Sequence, residues 1–302
     1  MKTLWRNKYI LTALLLCIVG ALSFGLVKLR GADDAKEGDF VIVTSFYPIY
    51  IATLNLTENV DGVTVVNLTS NSTGCIHDYQ LSTKDLKVLD SADMLIMNGA
   101  GMEPFLDDII WQQYYYLNVI TVTDGISLLE GEEGSNPHSW MDISLYEQEV
   151  EIICDELIKA DPYNKQQYRN NYKKYSMKLL ELADDLGAIS KETEGAHVVT
   201  FHDAFIYLKN MCGFEVEESI DMDEETALSA AQVSEIVDLI KTGKVQYLIT
   251  DESEGKAAAM AIADEVDVKV MFLNPLTSGE DDKDSYIDGM RENIDRIKEA
   301  FD

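Results

Sequence analysis

Two runs of alternating strand-like and helix-like segments, separated by a long helical segment, constrain the fold of this chain more than any other feature. In the first run the strand-like segments are β-branched and apolar, at 40–45, 63–68, 94–98 and 119–122. In the second run they lie at 196–201, 214–218, 245–250 and 268–273. This alternation is typical of parallel βαβ units. The sequence therefore predicts the α/β class, with two lobes that each hold a mainly parallel sheet flanked by helices.

The segment between the two runs of strands and helices predicts two long helices. One helical pattern covers 143–160, and a second, rich in Tyr and Lys, runs from Tyr163 to about Ser190. A helix of about 28 residues is roughly 40 Å long, which is enough to run across two domains. The predicted organisation is an N-terminal α/β lobe, one long rigid linking helix and a C-terminal α/β lobe, at 40–160, 161–194 and 195–302.

The charge of the chain excludes one class of partner. Acidic residues number 54 against 24 basic residues, which gives a formal net charge of -30 over 302 residues. A surface of this sign repels the phosphates of nucleic acids, so we expect no nucleic-acid partner. The acidity is explained either by a solvated surface that keeps the protein soluble or by a field that concentrates cations.

The first 39 residues predict an export signal peptide or an N-terminal membrane anchor, followed by a linker. Basic residues near the start precede an apolar run at 9–27, which is long for a cleaved signal peptide and long enough to span a bilayer. A retained membrane tether is therefore expected, with a polar linker at 31–39. Lipidation at Cys17 is disfavoured because leucines precede it where a small residue is needed. The expected location is outside the cytoplasm, at the cell surface or in the periplasm.

Three of the four histidines lie in polar, loop-like settings: His77 in GCIHDY, His138 in NPHSW and His202 in TFHDAF. Imidazole is the commonest neutral nitrogen ligand for zinc, copper and nickel. Because these residues are 61 and 64 positions apart, any shared site must be built by the tertiary fold. His77 and His202 are each predicted to follow a strand, as counterparts in the two halves. The fourth histidine, His197, starts a strand and is interpreted as structural or exposed.

Parallel strands of this kind bind ligands outside their carboxyl ends. The strand-end positions of His77 and His202 therefore predict an open metal site. Cys75 lies two residues before His77 and is interpreted either as a soft ligand or as a turn residue. Cys154 and Cys212 fall in helical patterns, where a small buried apolar role is the usual one for a free thiol.

Five segments carry a resemblance to a known family. The chain resembles the extracytoplasmic solute-binding proteins of ABC transporters for zinc and manganese, a metal-binding family that includes lipoproteins and adhesins. The resemblance extends from Phe40 to the C-terminus. The matching segments are VTSFYPIY at 43–50, HDYQLSTKDLKVLDSADMLIMNGAGME at 77–103, NPHSWMD at 136–142, TFHDAF at 200–205 and LNPL at 273–276. It implies two α/β lobes joined by one long helix, with a metal bound in the cleft between them.

The resemblance implies that His77, His138 and His202 are metal ligands. At the fourth position the chain departs from the family, because many relatives place an Asp or Glu close to where this chain has Thr277. A water molecule, or no protein ligand, is one alternative, and Glu280 or another acid of the same loop is a second. Asp251 and Cys75 are further candidates.

Acidic residues near the histidines are candidates to hold the second nitrogen of each ring, as metal-ligating histidines require. These residues are Asp78, Asp142 and Asp203. Each is equally a candidate helix cap. Three neutral nitrogens favour zinc over manganese, which prefers more oxygen ligands. We therefore expect Zn2+ as the bound ion, with Mn2+ as the alternative.

The expected function is high-affinity capture of a divalent metal outside the cytoplasm and its delivery to an ABC permease, by a monomer without enzyme activity. A manganese receptor of the same kind is the first alternative. A surface adhesin is another, and a zinc-dependent hydrolase is a third, since three histidines and a water resemble a catalytic zinc site. The hydrolase would need a general base beside the water, and the sequence contains no Gly-x-Ser-x-Gly motif or phosphate-binding loop.

Overall fold

The computed structural model describes residues 38–302, except 71–75, 78, 132–133, 221, 223–227 and 254. The predicted signal or anchor lies outside these residues, as do Cys75 and Asp78. Among the described residues, no helix is both long enough and apolar enough to cross a membrane.

The first half of the chain alternates strands and helices. In chain order the elements are β1 (Phe40–Thr44), α1 (Tyr47–Leu56), β2 (Val63–Asn67), α2 (Thr83–Asp90), β3 (Met94–Met97), α3 (Pro104–Gln113), β4 (Asn118–Thr121), a short hairpin of β5 (Glu130–Gly131) and β6 (Gly134–Ser135), a 3-10 turn (Ser139–Met141) and α4 (Ile143–Ala160).

The second half begins with a long helix and then alternates again. Its elements are a 3-10 turn (Pro162–Asn164), α5 (Lys165–Thr193), β7 (His197–Thr200), a 3-10 segment (Asp203–Leu208), α6 (Lys209–Cys212), β8 (Glu215–Ser219), α7 (Ala230–Lys241), β9 (Tyr247–Thr250), α8 (Lys256–Glu265), β10 (Lys269–Phe272) and α9 (Ser285–Phe301).

The two main sheets have the same topology. Their strand orders are β2-β1-β3-β4 and β8-β7-β9-β10, and every pairing in them is parallel. In each sheet the first strand therefore lies inside, between the second and the third. The prediction of two α/β lobes with parallel sheets is confirmed.

The sheets form because their inner strands are apolar on both faces. In β1, Ile42 packs into one hydrophobic core while Val41 and Val43 pack into another. Successive side chains of a strand point to opposite faces, so a strand covered on both sides reads as a continuous apolar run. This is why VIVT and its counterpart HVVT in β7 could be recognised as buried strands.

Three of the helices, α2, α4 and α7, begin at side-chain caps. Ser82 and Asp85 form a capping box at the start of α2, and Ser229 and Gln232 form another at the start of α7. Asp142 accepts hydrogen bonds from the backbone N–H groups of Ser144 and Leu145, which starts α4. Each cap satisfies backbone donors that the first helical turn leaves free.

The predicted long helix is α5, which has 29 residues and is about 43 Å long. Its buried positions recur at helical spacing, at Tyr168, Tyr175, Leu179, Leu182, Leu186 and Ile189. Through this face α5 packs against α1 and α4 of the first half and against α6 and α9 of the second. It therefore connects the two lobes, as predicted, although it ends at Thr193 rather than near Ser190.

Three elements differ from the sequence prediction. Helix α3 had not been predicted, because only Leu106 among its ten residues is buried and its apolar pattern is weak. The β5–β6 hairpin has strands of two residues, too short for any periodic signal. The sequence from Asp203 to Cys212 predicts one helix, but its first part, Asp203–Leu208, is a 3-10 helix, and because nearly all its side chains are buried it has no amphipathic period.

Candidate metal centre

Each candidate histidine lies in a different connection. His77 lies in the connection between β2 and α2, His138 between the β5–β6 hairpin and the short turn Ser139–Met141, and His202 directly after β7. The prediction that His77 and His202 are counterparts was wrong. β2 is an edge strand of its sheet, whereas β7 is an inner strand whose topological counterpart is β1.

The fold brings these three rings together. The ring centroids of His77 and His138 are 5.6 Å apart, and those of His138 and His202 are 5.1 Å apart, both in edge-to-face orientation. Two imidazoles that share a tetrahedral zinc, with Zn–N bonds of about 2.0–2.1 Å, have centroids about 5 Å apart. The observed spacing is therefore that of rings grouped around one ion.

The described side chains do not form a complete metal-coordinating cluster. Within the described ranges, no group of three or more His, Cys, Asp or Glu side chains is placed so that it could hold a metal ion as it stands.

The orientation of His138 is set by Asn136. The Asn136 Oδ1 atom lies 3.0 Å from Nδ1 of His138 and also accepts the backbone N–H of His138 at 3.0 Å. Asn136 Nδ2 donates to the carbonyl of Asp203 at 3.0 Å, which fixes the amide so that its oxygen faces the ring. Because Oδ1 can only accept, Nδ1 of His138 carries the proton and Nε2 keeps its lone pair.

This loop is anchored by both halves of the molecule. The hydroxyl of Tyr207 donates to the carbonyl of Asn136 at 2.7 Å, and Trp140 Nε1 donates to the carbonyl of Pro275 at 2.8 Å. The Trp140 ring lies between His138 and Phe46, with centroid distances of 5.2 and 4.9 Å. His138 is thus held in the contact region of the two lobes, where it is only 1% exposed.

His202 is held by a carboxylate. Its Nδ1 atom lies 3.2 Å from Oδ2 of Asp251, and both side chains are 2% exposed. Oδ1 of Asp251 accepts hydrogen bonds from the backbone N–H and the hydroxyl of Ser253, both at 2.6 Å. Asp251 follows β9, which is the neighbour of β7, so the pair lies at the point where the strand order of the sheet reverses.

Comparison with known proteins identifies the family of the chain. Residues 42–300 match the family model for the periplasmic component A of the zinc-uptake complex, ZnuA. The chain belongs to this family. It is 26% identical over 319 residues to the high-affinity zinc uptake system protein ZnuA of Bacillus subtilis, and the match covers 98% of each chain.

Further members of the family share the fold. The chain is 28% identical to the zinc-binding lipoprotein AdcA of Streptococcus pneumoniae but spans 56% of that protein's length. The Zn(II)-bound ZnuA-like domain of AdcA superimposes with a TM-score of 0.74 at 27% identity, covering 88% of this chain and all of that domain. The solute-binding protein FpvC of Pseudomonas aeruginosa, in complex with Mn2+, superimposes with a TM-score of 0.78 at 25% identity, covering 87% of this chain and 98% of FpvC.

A buried carboxylate organises the NGAGME segment, one of the motifs that carried the family resemblance. Glu103 accepts hydrogen bonds from the backbone N–H groups of Asn98 and Gly99, at 2.7 and 2.9 Å. Asn98 Nδ2 in turn donates to the carbonyl of Pro137 at 2.9 Å, next to His138. Burial raises the pKa of Glu103 to about 7, although the two N–H groups favour its charged form. Glu103 therefore holds Asn98 in place, and Asn98 in turn holds the loop that carries His138.

The turn that Glu103 holds is strained. Gly99, Ala100 and Gly101 all have positive φ angles, of 87°, 53° and 84°. A Cβ atom on Gly99 would lie 2.1 Å from Cγ2 of Thr121, so only glycine fits at this position. This explains the glycine break that follows β3 in the sequence.

A second buried carboxylate lies on α4. Oε1 of Glu149 accepts a hydrogen bond from the hydroxyl of Ser139 at 2.6 Å. Oε2 has no hydrogen-bond partner among the described residues. Burial raises the pKa of Glu149 to about 8, with a smaller contribution from the charge of Asp142. Sequence reasoning missed Glu149 and Glu103, since neither stands out among the many surface acids.

Two of the acids proposed from the sequence as partners of the histidines, Asp142 and Asp203, have contacts within the described residues. Asp142 caps α4, and burial raises the pKa of its carboxyl group. Asp203 accepts a hydrogen bond from the hydroxyl of Ser219 at 2.6 Å. Asn136 contacts the ring of His138, and Asp251 contacts the ring of His202. The signal for Asp251 was its position after β9, because the carboxyl ends of adjacent parallel strands meet at one edge.

The loop that carries Thr277 and Glu280, where the sequence left the fourth metal ligand undecided, lies along the contact between the lobes. Thr277 is buried, with 6% of its surface exposed, and follows Leu276, whose φ angle is 58°. Glu280 is exposed, and its backbone carbonyl accepts hydrogen bonds from the hydroxyls of Tyr47 and Ser285, both at 3.1 Å. The described contacts of Glu280 are therefore made by its backbone.

Proposed function

We propose that this protein captures a divalent transition metal, zinc in the first place, outside the cytoplasmic membrane and delivers it to an ABC permease. The observation that carries the proposal is the grouping of three histidine rings from separate connections at the spacing of a shared tetrahedral ion. In two of these rings Nδ1 faces a fixed acceptor, which makes Nε2 the nitrogen that carries the lone pair a metal needs. The ion is the cargo, and no bond of a substrate is made or broken.

The proposed ligands are His77, His138 and His202. His138 and His202 are buried, whereas His77 is half-buried and lies in a connection at the edge of the first sheet. An ion therefore reaches the site from the side of His77. Since the two buried rings are already oriented, binding requires mainly that His77 turns toward them.

Water completes the coordination in this proposal. Asp251 has both oxygens engaged, one at the ring of His202 and one at Ser253, so its role is to orient His202. The exposed Glu280 side chain would have to fold inward to reach the histidines. A zinc ion with three protein ligands and one exchangeable position can be released more readily than one in a closed four-ligand site.

Manganese is the second candidate cargo. FpvC, which shares the fold, binds Mn2+ in a solved structure. Manganese prefers carboxylate and water ligands, and the donors grouped here are nitrogens. The donor set therefore favours zinc, with manganese as a weaker ligand of the same site.

The proposed protein acts from the outer face of the membrane. The apolar run at 9–27 directs export and tethers the chain, the polar linker ends at 39, and the lobes at 40–160 and 195–302 with their linking helix at 161–194 act as one monomeric receptor. The matched family is the periplasmic component of an uptake complex. Its natural partner is therefore a permease that accepts the released ion.

A hydrolase and an adhesin are the competing functions. A zinc hydrolase needs a carboxylate that is free to take a proton from the metal-bound water. Asp251 is engaged by His202 and Ser253, and Glu149 is bonded to Ser139, so neither acid is placed for that role. An adhesin in which the ion is structural would need the metal in order to fold, whereas a transport receptor folds without it.

Isothermal titration of the metal-stripped protein with zinc tests the proposal. One tight site per chain is expected, and His77→Ala, His138→Ala or His202→Ala should each weaken binding by at least about 100-fold through loss of a ligand. His197→Ala is the matched control, because His197 lies at the start of β7 with its Nδ1 2.5 Å from Oε1 of Glu217. Unchanged affinity in the three variants would overturn the site, and absence of binding in the parent protein would overturn the function.

A further inference from the structure

Three aromatic side chains form an exposed patch on the first lobe. Trp111, Tyr115 and Tyr116 are 81%, 78% and 65% exposed, and we call them the aromatic surface. The Tyr115 and Tyr116 rings pack edge to face with centroids 5.8 Å apart. Tyr114 beneath them is buried and donates its hydroxyl to the carboxylate of Asp90 at 2.9 Å. The patch is therefore presented on a fixed base.

Tryptophan and tyrosine are the residues that favour the boundary between lipid and water. Their rings bury apolar area among lipid headgroups while the indole N–H and the phenol O–H keep polar partners. Scattered single apolar residues on a surface need no explanation, but three large aromatics in six consecutive positions form a patch of the kind that marks an interaction site.

The aromatic surface lies at the edge of the sheet where the described chain begins. It occupies the end of α3 and the turn before β4. The strand register aligns Ile42 with Met94 and Met94 with Asn118, so β4 lies two strand spacings, about 10 Å, from β1. Tyr116 lies in the turn that leads into Asn118, the first residue of β4, and Phe40 is the first residue of β1, so both lie at the amino end of the sheet.

The chain that precedes Phe40 contains the apolar run at 9–27, joined to the fold by 28–39. This connection of about 12 residues can extend up to roughly 40 Å, so a tether alone leaves the lobes free to turn in any direction. We propose that the aromatic surface lies in the headgroup region of the bilayer beside the tether and so fixes the orientation of the protein. The proposal rests on the membrane tether of the proposed function.

The charge around the aromatic surface determines which lipid headgroups it can contact. The residues around the aromatic surface include the exposed acids Asp90, Asp107 and Asp108, in a chain whose net charge is -30. Anionic headgroups repel such a surface, whereas zwitterionic headgroups accept aromatic rings without net repulsion. The surface therefore binds zwitterionic lipid and is weakened by anionic lipid.

This orientation leaves the metal site accessible. His202 lies at the carboxyl end of its parallel strand, and the His138 loop is bonded to Asn98 at the carboxyl end of β3. The aromatic surface lies at the opposite, amino end of the first sheet. Contact with lipid therefore does not cover the connection that carries the half-buried His77, the side from which an ion reaches the site.

Tryptophan fluorescence of the full chain tests the contact. Trp5→Phe leaves Trp111 and Trp140, and Trp140 is fully buried, so Trp111 is the accessible reporter. The chain is reconstituted in phosphatidylcholine vesicles and isolated by flotation. Quenching by aqueous iodide should then fall by about threefold or more relative to detergent-free protein in buffer, and headgroup-labelled nitroxide lipid should quench Trp111. Adding Trp111→Phe to this variant should remove both signals.

Two further variants separate packing from lipid contact. Tyr115→Ser with Tyr116→Ser should restore iodide access to Trp111 in vesicles. Met177→Ser with Leu180→Ser, which changes exposed apolar residues on α5, should leave the protection intact. Thirty per cent phosphatidylglycerol should reduce the protection, since it adds the repelled charge, by roughly half or more.

Each failure has its own signature. A chain that does not float with vesicles lacks the tether, which overturns the membrane part of the proposed function. A chain that floats with Trp111 still open to iodide overturns the aromatic contact alone. Protection of Trp111 that rises with protein concentration in the absence of vesicles identifies a second copy as the occupant and also overturns the proposal.

Discussion

Nδ1 of His202 lies 3.2 Å from Oδ2 of Asp251, and both side chains are buried. The carboxylate accepts the Nδ1 proton, which fixes the tautomer and the plane of the ring and makes Nε2 the nitrogen that carries the lone pair. A histidine that is held by a carboxylate in this way is also a stronger metal ligand, because the negative charge raises its basicity. The first prediction follows from this pair.

Asp251→Asn should lower zinc affinity by about 10-fold to 100-fold, because the amide can still accept the Nδ1 proton but supplies no charge. Glu252→Gln is the control, since Glu252 is exposed and paired with Lys256. Competition titration with a zinc chelator measures both variants. Equal affinities would show that Asp251 does not act on the metal through His202.

The fold could be predicted from the sequence because its inner strands are short apolar runs and its helices have clear ends. The pattern at 256–265 predicts a helix with the observed bounds of α8, and α5 was recognised from its length. Strand ends were placed one or two residues too far, as at Phe201, because burial continues beyond the hydrogen-bonded ladder. The topology that makes β7 an inner strand could not be predicted, since strand order depends on contacts between distant residues.

The site could be predicted only as far as single residues carry a signal. The three histidines were recognisable because histidine is scarce in the chain and these lie in polar connections. Their orienting partners were not. Asn136 contacts the ring of His138 because the Asn136 amide is fixed by Asp203, a residue 67 positions away. Such a relationship exists only in the folded protein.

The fourth position of the metal gives the second prediction. Thr277→Asp should improve manganese binding by about 10-fold relative to zinc binding, because the new carboxylate is a hard oxygen donor. Many proteins of the family that the sequence resembles are expected to carry an acid close to this position. Titration of each metal into the stripped variant measures the ratio, and a thermal melt checks that the buried carboxyl group is tolerated. An unchanged metal ratio in a folded variant would place Thr277 away from the ion.

Glu280 provides the third prediction, an expected lack of effect. Glu280→Gln should change zinc affinity by less than about twofold, since an exposed charge is screened by solvent and salt. The hydrogen bond from Tyr47 to the Glu280 backbone persists in this variant, so the loop keeps its position. A loss of 10-fold or more in a zinc titration would make Glu280 the fourth ligand.

Glu103 gives the fourth prediction. Glu103→Gln retains one carbonyl oxygen, so one of the two backbone donors at Asn98 and Gly99 loses its acceptor, at a cost of about 1–3 kcal/mol in unfolding free energy. Zinc affinity should also fall, because Asn98 supports the carbonyl of Pro137 beside His138. Urea unfolding and zinc titration measure the two effects. Asp107→Asn changes an exposed carboxyl group on α3, the helix that begins directly after Glu103, and it should change neither the unfolding free energy nor the zinc affinity.

The buried carboxyl group of Glu149 makes stability depend on pH. Its pKa in the folded protein is raised to about 8, from 4.5 when it is exposed. The folded state therefore binds this proton more tightly than the unfolded state. The associated stability is fully present below pH 4.5 and is lost as pH rises through 8. Glu103, with a pKa raised to about 7, changes stability in the same direction.

Glu149→Gln should remove the Glu149 part of this dependence. The glutamine is neutral at every pH and keeps an oxygen that can accept from Ser139. In the parent protein, stability falls between pH 5 and pH 8, because the folded state keeps a proton on Glu149 that the unfolded state has already released. The variant has no such proton, so its unfolding free energy should rise relative to that of the parent over this pH range. Glu151→Gln, at an exposed position of α4, is the control and should follow the parent. Urea unfolding of the metal-stripped proteins at several pH values gives the comparison, and parallel curves for the parent and Glu149→Gln would show that Glu149 is charged in the folded protein throughout this range.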